Sequence, residues 1–139
     1  LPYRFKTKGE MMRECLDQHL LQKWAADSTS CGRFRTYNRQ HCGRCVPCLI
    51  RRAAFIAWKP EGDTTSYRFE SVVGSDKSSA PDDPMAVALA ILDVRKRGLD
   101  RFLGGSLVFA PINERPMYRR VLQEGIKELE TVLVQDKLL

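Results

Sequence analysis

Four cysteines lie within eighteen residues of this chain, and their spacing constrains its fold more than any other feature. Cys31 comes first, and a Cys-x2-Cys-x2-Cys run follows after ten intervening residues, formed by Cys42, Cys45 and Cys48. Two-residue gaps on a tight turn bring sulfur atoms to the edges of one tetrahedron, and Gly43 lets the backbone fold around an ion. We predict one metal site with four thiolate ligands, a structural Zn²⁺ rather than a catalytic one, because no coordination position is left for a substrate.

Other interpretations of the cysteines stay open at this point. A [4Fe–4S] cluster is one, since Cys-x2-Cys-x2-Cys occurs in ferredoxin-type runs, although the Cys-Pro that ends such runs is missing here. Metal-free thiols are another, and His41 could replace one cysteine as a ligand. Disulfides are disfavoured by the odd total of five cysteines and by the lack of a visible secretory signal, so we expect a reducing, cytoplasmic location.

Positive charge is concentrated around the cysteines. From Ser28 to Pro60 the chain has seven Lys or Arg residues and no Asp or Glu, whereas the net charge of the whole chain is only +6. These cations could offset the negative charge of a zinc–thiolate centre or bind an anion such as an RNA backbone. The second possibility gives an alternative function, a basic zinc module that binds nucleic acid. Its phosphate contacts would be Arg33, Arg35, Arg39 and Arg44, with Phe34 or Tyr37 stacking on bases.

Hydrophobic periodicity predicts a mainly helical chain. Thr7 and Glu10 form a capping-box pattern before an amphipathic stripe that runs to Trp24 and includes Cys15, which we expect to be buried. Further helices are predicted from Cys48 to Trp58, from Asp83-Pro84 to Arg97, over 99–103 and over 113–139, with Met117, Val121, Leu122, Ile126, Leu129 and Val132 in register on the last. A short strand is predicted over 67–73 and an exposed linker over 74–83.

No membrane partner is expected. The longest apolar run, from Met85 to Leu92, has eight residues, far fewer than the roughly 18 that span a bilayer. We divide the chain into a helix plus four-cysteine zinc module at residues 1–60 and a helical extension at residues 61–139.

The sequence around the cysteines resembles the C-terminal zinc motif of the 7-cyano-7-deazaguanine synthase family, the QueC family. That motif has an upstream cysteine followed by Cys-Gly-x-Cys-x-x-Cys-x-x-Arg-x-x-Gly-Phe. The resemblance covers residues 2–58, and the residues that match in order are Cys31, Cys42, Gly43, Cys45, Cys48, Arg51 and Phe55.

Several departures from the family pattern qualify this resemblance. Ala54 stands where the family has Gly, and Val46-Pro47 replaces a common Asp-Ser pair. Residues 56–139 extend past the point where the biosynthetic members end, and these 139 residues contain no ATP-binding Ser-Gly-Gly-x-Asp-Ser loop. In these respects the chain is similar to the QueC-like component of Qat-type anti-phage defence systems.

The resemblance implies the C-terminal part of a larger α/β ATP-pyrophosphatase (PP-loop) protein. The parent would use ATP and Mg²⁺ to adenylate the carboxylate of 7-carboxy-7-deazaguanine and let an amine attack it, in queuosine biosynthesis or in defence. This chain alone would not be an enzyme. Its partners would be the PP-loop domain, the 7-deazapurine substrate and a further protein. We place Arg51 and Phe55 nearest the substrate.

Overall fold

The computed structural model describes residues 1–74 and 83–139, and this part of the chain is mainly helical, as predicted. The described residues form no strand, and the nearest approach to one is an isolated parallel bridge between His41 and Tyr67. The six α-helices are α1 (Lys8–Arg13), α2 (Gln18–Trp24), α3 (Val46–Trp58), α4 (Asp83–Arg97), α5 (Leu99–Leu103) and α6 (Arg115–Gln135), and 3-10 turns cover Pro60–Gly62 and Ile112–Glu114.

The predicted strand over 67–73 is wrong. Two of its backbone amides pair with backbone carbonyls of another segment, from Arg68 to His41 (2.8 Å) and from Phe69 to Cys42 (3.1 Å). The Val72 amide donates to the Asp136 carboxylate instead. The three carbonyls of residues 69–71 accept from arginine side chains rather than from a strand, so no ladder forms. Most of the predicted linker over 74–83 lies outside the described residues.

The predicted first helix is two short helices. The Thr7 capping box is present, because Thr7 Oγ1 accepts from the Glu10 amide at 3.1 Å and the Glu10 carboxylate accepts from the Thr7 amide at 2.8 Å. Asp17 then caps a new helix by accepting from the Leu20 amide at 2.8 Å. Cys15 lies in the turn between the helices and is only half-buried, so its predicted place on a buried helical stripe is wrong.

Helix α3 is the centre of the packing, and its predicted range of 48–58 is confirmed with a start two residues earlier. One side of α3 packs on α1, where Gly9 comes so close that a Cβ there would lie 2.7 Å from the Cβ of Ala57. The other side joins the main hydrophobic core with α4 and α6, whose buried members are Leu49, Ala53, Val72, Ala88, Ile91, Val132 and Leu133. Helix α3 thus contacts α1 on one side and the C-terminal helices on the other. The division of the chain into two units at residue 60 therefore stays a prediction.

Helices α4 and α6 cover this core only in part. On α6, Ile126, Leu129 and Val132 pack inward as predicted, but Met117 and Leu122 are exposed. The chain after α6 turns back at Lys137, which has a φ of 59°, so that the Leu138 amide reaches the Leu133 carbonyl at 2.8 Å. None of the helices in residues 1–74 and 83–139 has the length and apolar composition to cross a bilayer.

The C-terminal end of α6 offers a stability test on two neighbouring side chains. Leu133 is fully buried in the core, whereas Val134 is 50% exposed. We expect Leu133→Ala to lower the free energy of unfolding by about 2–5 kcal/mol through lost burial and the cavity left behind. Val134→Ala should lower it by less than about 1 kcal/mol in the same urea titration. Equal effects would contradict the packing described here.

Candidate metal centre

The four predicted ligands come together in one buried cluster. The sulfur atoms of Cys31, Cys42, Cys45 and Cys48 all lie within 4.8 Å of one another. The Cys31–Cys45 and Cys42–Cys48 sulfur distances are both 3.8 Å. A tetrahedron of ~2.3 Å Zn–S bonds has edges of about 3.8 Å, whereas a disulfide would need about 2.05 Å. The array therefore fits a tetrahedral ion, and all five cysteines are free thiols.

Two features of the local sequence build this array. Gly43 lies in the turn between Cys42 and Cys45 and has a φ of 86°. A Cβ at this position would lie 2.5 Å from the Phe69 carbonyl oxygen, so this turn requires glycine. Cys45 is the N-cap of α3, and Cys48 follows in its first turn after Pro47. The helix start thus fixes two of the four sulfur atoms relative to one rigid element.

Backbone amides point at the sulfur atoms. Cys31 Sγ accepts from the amides of Arg33 and Cys42, both at 3.3 Å. Cys42 Sγ accepts from the amides of Arg44 (3.5 Å) and Cys45 (3.2 Å). Hydrogen bonds from amides stabilise the charged form of a thiol, so the loop is organised to hold thiolates.

The cysteine pKa values diverge because the sulfur atoms contact one another. The hydrogen bond between the sulfur atoms of Cys42 and Cys48 lowers the pKa of Cys42 to about 4 and raises that of Cys48. Burial raises the pKa of Cys45. Without a cation, one thiolate is therefore favoured and its neighbours keep their protons, whereas a bound cation would favour ionisation of all four.

His41 supports the centre from outside the ligand group. Its imidazole is buried, with Nδ1 4.0 Å from Cys48 Sγ, and burial lowers its pKa. The group of side chains that could hold an ion consists of the four cysteines without His41. His41 is placed to contact a ligand sulfur rather than to replace one.

Two of the nearby arginines hold the 67–71 segment over the cysteine loop. Arg44 is buried, donates from Nε to the Ser71 carbonyl at 2.9 Å, and lies 4.4 Å from the centroid of the Phe69 ring. Arg52 donates to the carbonyls of Gly43 (3.1 Å) and Phe69 (2.9 Å). These two side chains hold backbone carbonyls in place, and that the cations also offset the charge of a zinc–thiolate centre stays a prediction. Arg44 is buried, so it is not on the surface where phosphate would bind.

The other residues of the nucleic-acid alternative divide into two groups. Arg33, Arg35 and Arg39 are exposed, and none forms an ion pair with a described residue. The aromatic residues face inward instead and pack against the cysteine cluster: Phe34 contacts the His41 ring at 5.4 Å and Tyr37 the Phe69 ring at 5.8 Å, measured between centroids.

Arg51 and Phe55, the predicted substrate neighbours, are both buried on α3. All three guanidinium nitrogens of Arg51 donate within the chain, to the Ser28 carbonyl (3.0 Å), the Ala25 carbonyl (2.8 Å) and Thr65 Oγ1 (3.0 Å from Nε) among others. The Arg51 side chain thereby holds together the segment that follows α2 and the segment that follows α3. Its contact with a substrate stays a prediction, as does that of Phe55.

A cavity of about 500 Å³ opens beside these two residues, between α1, α2 and α3. Its lining is largely apolar and includes Met11, Met12, Leu20, Trp24, Ala54 and Phe55, with Lys8, Asp17 and Arg51 as the charged members. Sequence analysis missed the contribution of α2, because the stripe to Trp24 was interpreted as core. The signal was present: Asp17 is an N-cap residue that interrupts the stripe and lets α2 turn away.

Comparisons with protein-family models, with characterised proteins and with solved structures give no match for this chain. The fold and the cysteine cluster define a mainly helical chain with a four-cysteine group that could hold a metal ion such as zinc.

Removal of one ligand tests the centre directly. We expect about one zinc per chain by elemental analysis, and expect Cys45→Ser to lose it and to unfold at lower temperature, because structural zinc stabilises the fold. Cys15→Ser is the matched control, since Cys15 lies outside the array, and it should keep the metal. An iron-rich brown sample, or zinc retained by Cys45→Ser, would show the assignment to be wrong.

Zinc affinity should depend on pH. Because the pKa values of Cys45 and Cys48 are raised, these thiols hold protons in the metal-free chain and release them when zinc binds. Apparent affinity should therefore rise with pH, by about tenfold per pH unit for each proton released and so by at least about a hundredfold near neutrality. Chelator competition between about pH 6 and about pH 8 measures this, and a flat profile would contradict it.

Proposed function

We propose that this chain is the zinc-stabilised C-terminal portion of a QueC-like, ATP-dependent 7-deazapurine-processing enzyme. Carboxylate adenylation and amine transfer would take place with a PP-loop domain outside these 139 residues, which would bind ATP and Mg²⁺. The zinc would have no chemical step, since four thiolates close its coordination sphere. The proposal rests on the order of the cysteine motif and on one structural observation, the cavity beside Arg51 and Phe55.

The cavity and the cysteine cluster are linked by one face of α3. Cys48, Arg51 and Phe55 are spaced three and four residues apart, which places them on the same side of a helix. Cys48 contributes to the sulfur array, Arg51 holds the segments around it, and Phe55 lines the cavity. A metal that fixes the start of α3 would thereby fix the position of the cavity wall.

The lining suits a planar heterocycle that carries a carboxylate. Trp24, which is 53% exposed, offers aromatic surface, and the buried Phe55 lies in the cavity wall. The N–H groups of Arg51 are engaged within the chain. Lys8 lines the cavity, is exposed and forms no ion pair within the described residues. In this proposal Lys8 faces the substrate carboxylate, and Arg51 positions the wall.

Two measurements test the proposal. The reading frame upstream of Leu1 should encode a Ser-Gly-Gly-x-Asp-Ser loop. In the protein that carries both parts, ATP-dependent AMP release with 7-carboxy-7-deazaguanine should show a KM about tenfold higher for Trp24→Ala, since one aromatic–base stack contributes about 1–3 kcal/mol. Phe109→Ala, an exposed aromatic outside the cavity lining, should leave KM unchanged. An upstream sequence without the loop would overturn the enzyme assignment.

The nucleic-acid alternative is supported by the exposed, unpaired cations of the loop before the cysteine run. If it is correct, replacing Arg33, Arg35 and Arg39 together by Gln should weaken RNA binding and reduce its salt dependence. If the triple variant and the unchanged chain bind RNA equally well across a broad range of salt concentration, this alternative is wrong.

A further inference from the structure

Helix α4 has two apolar sides, which lie about a quarter turn apart around its axis. Its inner side, with Pro84, Ala88 and Ile91, is buried. Its outer side carries Met85, Leu89 and Leu92, which are 51%, 60% and 45% exposed. A core-facing helix ordinarily has one apolar face and polar residues on the rest, so a second apolar stripe is available for a partner. We call Met85, Leu89 and Leu92 the outer stripe of α4.

We propose that the outer stripe of α4 is a dimer interface, in which the α4 helices of two copies of this chain pack antiparallel about a two-fold axis near Leu89. The stripe is close to symmetric about that residue, with Met85 four positions before it and Leu92 three positions after. In such a pair Met85 of each copy lies against Leu92 of the other, so a single patch is complementary to itself.

The charges of α4 select the antiparallel arrangement. Its last turn contains Arg95, Lys96 and Arg97, and its first turn contains Asp83. Arg95 and Arg97 have carboxylate partners, whereas Lys96 forms no ion pair with any described residue. A parallel pair would place the two basic turns together. An antiparallel pair places each basic turn beside the acidic start of the other helix, with opposed helix dipoles.

Two further apolar side chains are exposed near the ends of α4. Val46 is 39% exposed and adjoins the start of α4, because its amide donates to the Asp83 carboxylate at 3.0 Å. Phe102 is 38% exposed on α5, which packs on α4. A stripe of three side chains is small beside the ~800 Å² per partner of a standard stable interface, so the dimer is expected to be weak, with dissociation in the micromolar range.

Sedimentation equilibrium of the zinc-loaded chain between about 1 µM and about 1 mM tests the proposal. We expect a monomer–dimer equilibrium that Leu89→Glu weakens at least about tenfold, because it places two carboxylates at the axis. Ile112→Glu is the matched control: Ile112 is 78% exposed and lies off α4, so its dimer should be unchanged. Circular dichroism and zinc content establish that both variants fold.

Cross-linking tests the orientation. In a Cys15→Ser background, chains with Met85→Cys and chains with Leu92→Cys are mixed and oxidised with oxidised glutathione. Antiparallel packing predicts that mixed dimers form faster than either homodimer. Preferential Met85→Cys homodimers would overturn the antiparallel geometry.

A chain that stays monomeric at ~1 mM, or a Leu89→Glu chain that dimerises normally, would overturn the proposal and indicate another partner for the stripe.

Discussion

The fold around the cysteine loop depends on how four neighbouring sulfur atoms are neutralised. As four thiolates within 4.8 Å they would repel one another strongly, and as four thiols they would form only weak hydrogen bonds. A divalent cation resolves this conflict, since it favours ionisation and replaces repulsion with four bonds. The amides that point at Cys31 and Cys42 reduce the cost further. The rings of Phe34, Tyr37 and Phe69 pack against the cysteines, and a bound metal would add to the stability that this packing supplies.

Helix α3 carries the effect of that centre to the rest of the molecule. Its first turn holds two ligands, its middle supplies Leu49 and Ala53 to the core, and its far part lines the cavity through Phe55. A rigid helix cannot move one of these regions without the others. Arg51 and Arg52 also connect α3 to its neighbours, because they donate to backbone carbonyls of flanking segments that form no strand. Some of the positive charge near the cysteines, that of Arg51 and Arg52, therefore stabilises the fold without a bound anion.

Sequence patterns predicted the features that depend on local chemistry. Cysteine spacing predicted the sulfur array, the Thr7 capping box predicted the start of α1, and hydrophobic periodicity predicted the end of α3 at Trp58. The errors came from tertiary context. Tyr67 to Val73 has strand-forming residues, but it lies on a loop where arginine side chains, rather than a neighbouring strand, take its carbonyls. The stripe to Trp24 has helical spacing, but the Asp17 cap breaks it, and α2 borders a cavity rather than a core.

The distribution of exposed apolar residues gives the last constraint. Large apolar side chains are exposed on the α2 side of the cavity and on the outer stripe of α4, among other places, and these two regions lie on different elements. The first adjoins the buried Arg51 and Phe55, which makes it suitable for a ligand held by the face of α3. The second is close to symmetric about Leu89 and lies between an acidic first turn and a basic last turn, which suits a second helix. One chain of this size can thus present two separate binding surfaces, because α3 separates the cavity from the core on which α4 packs.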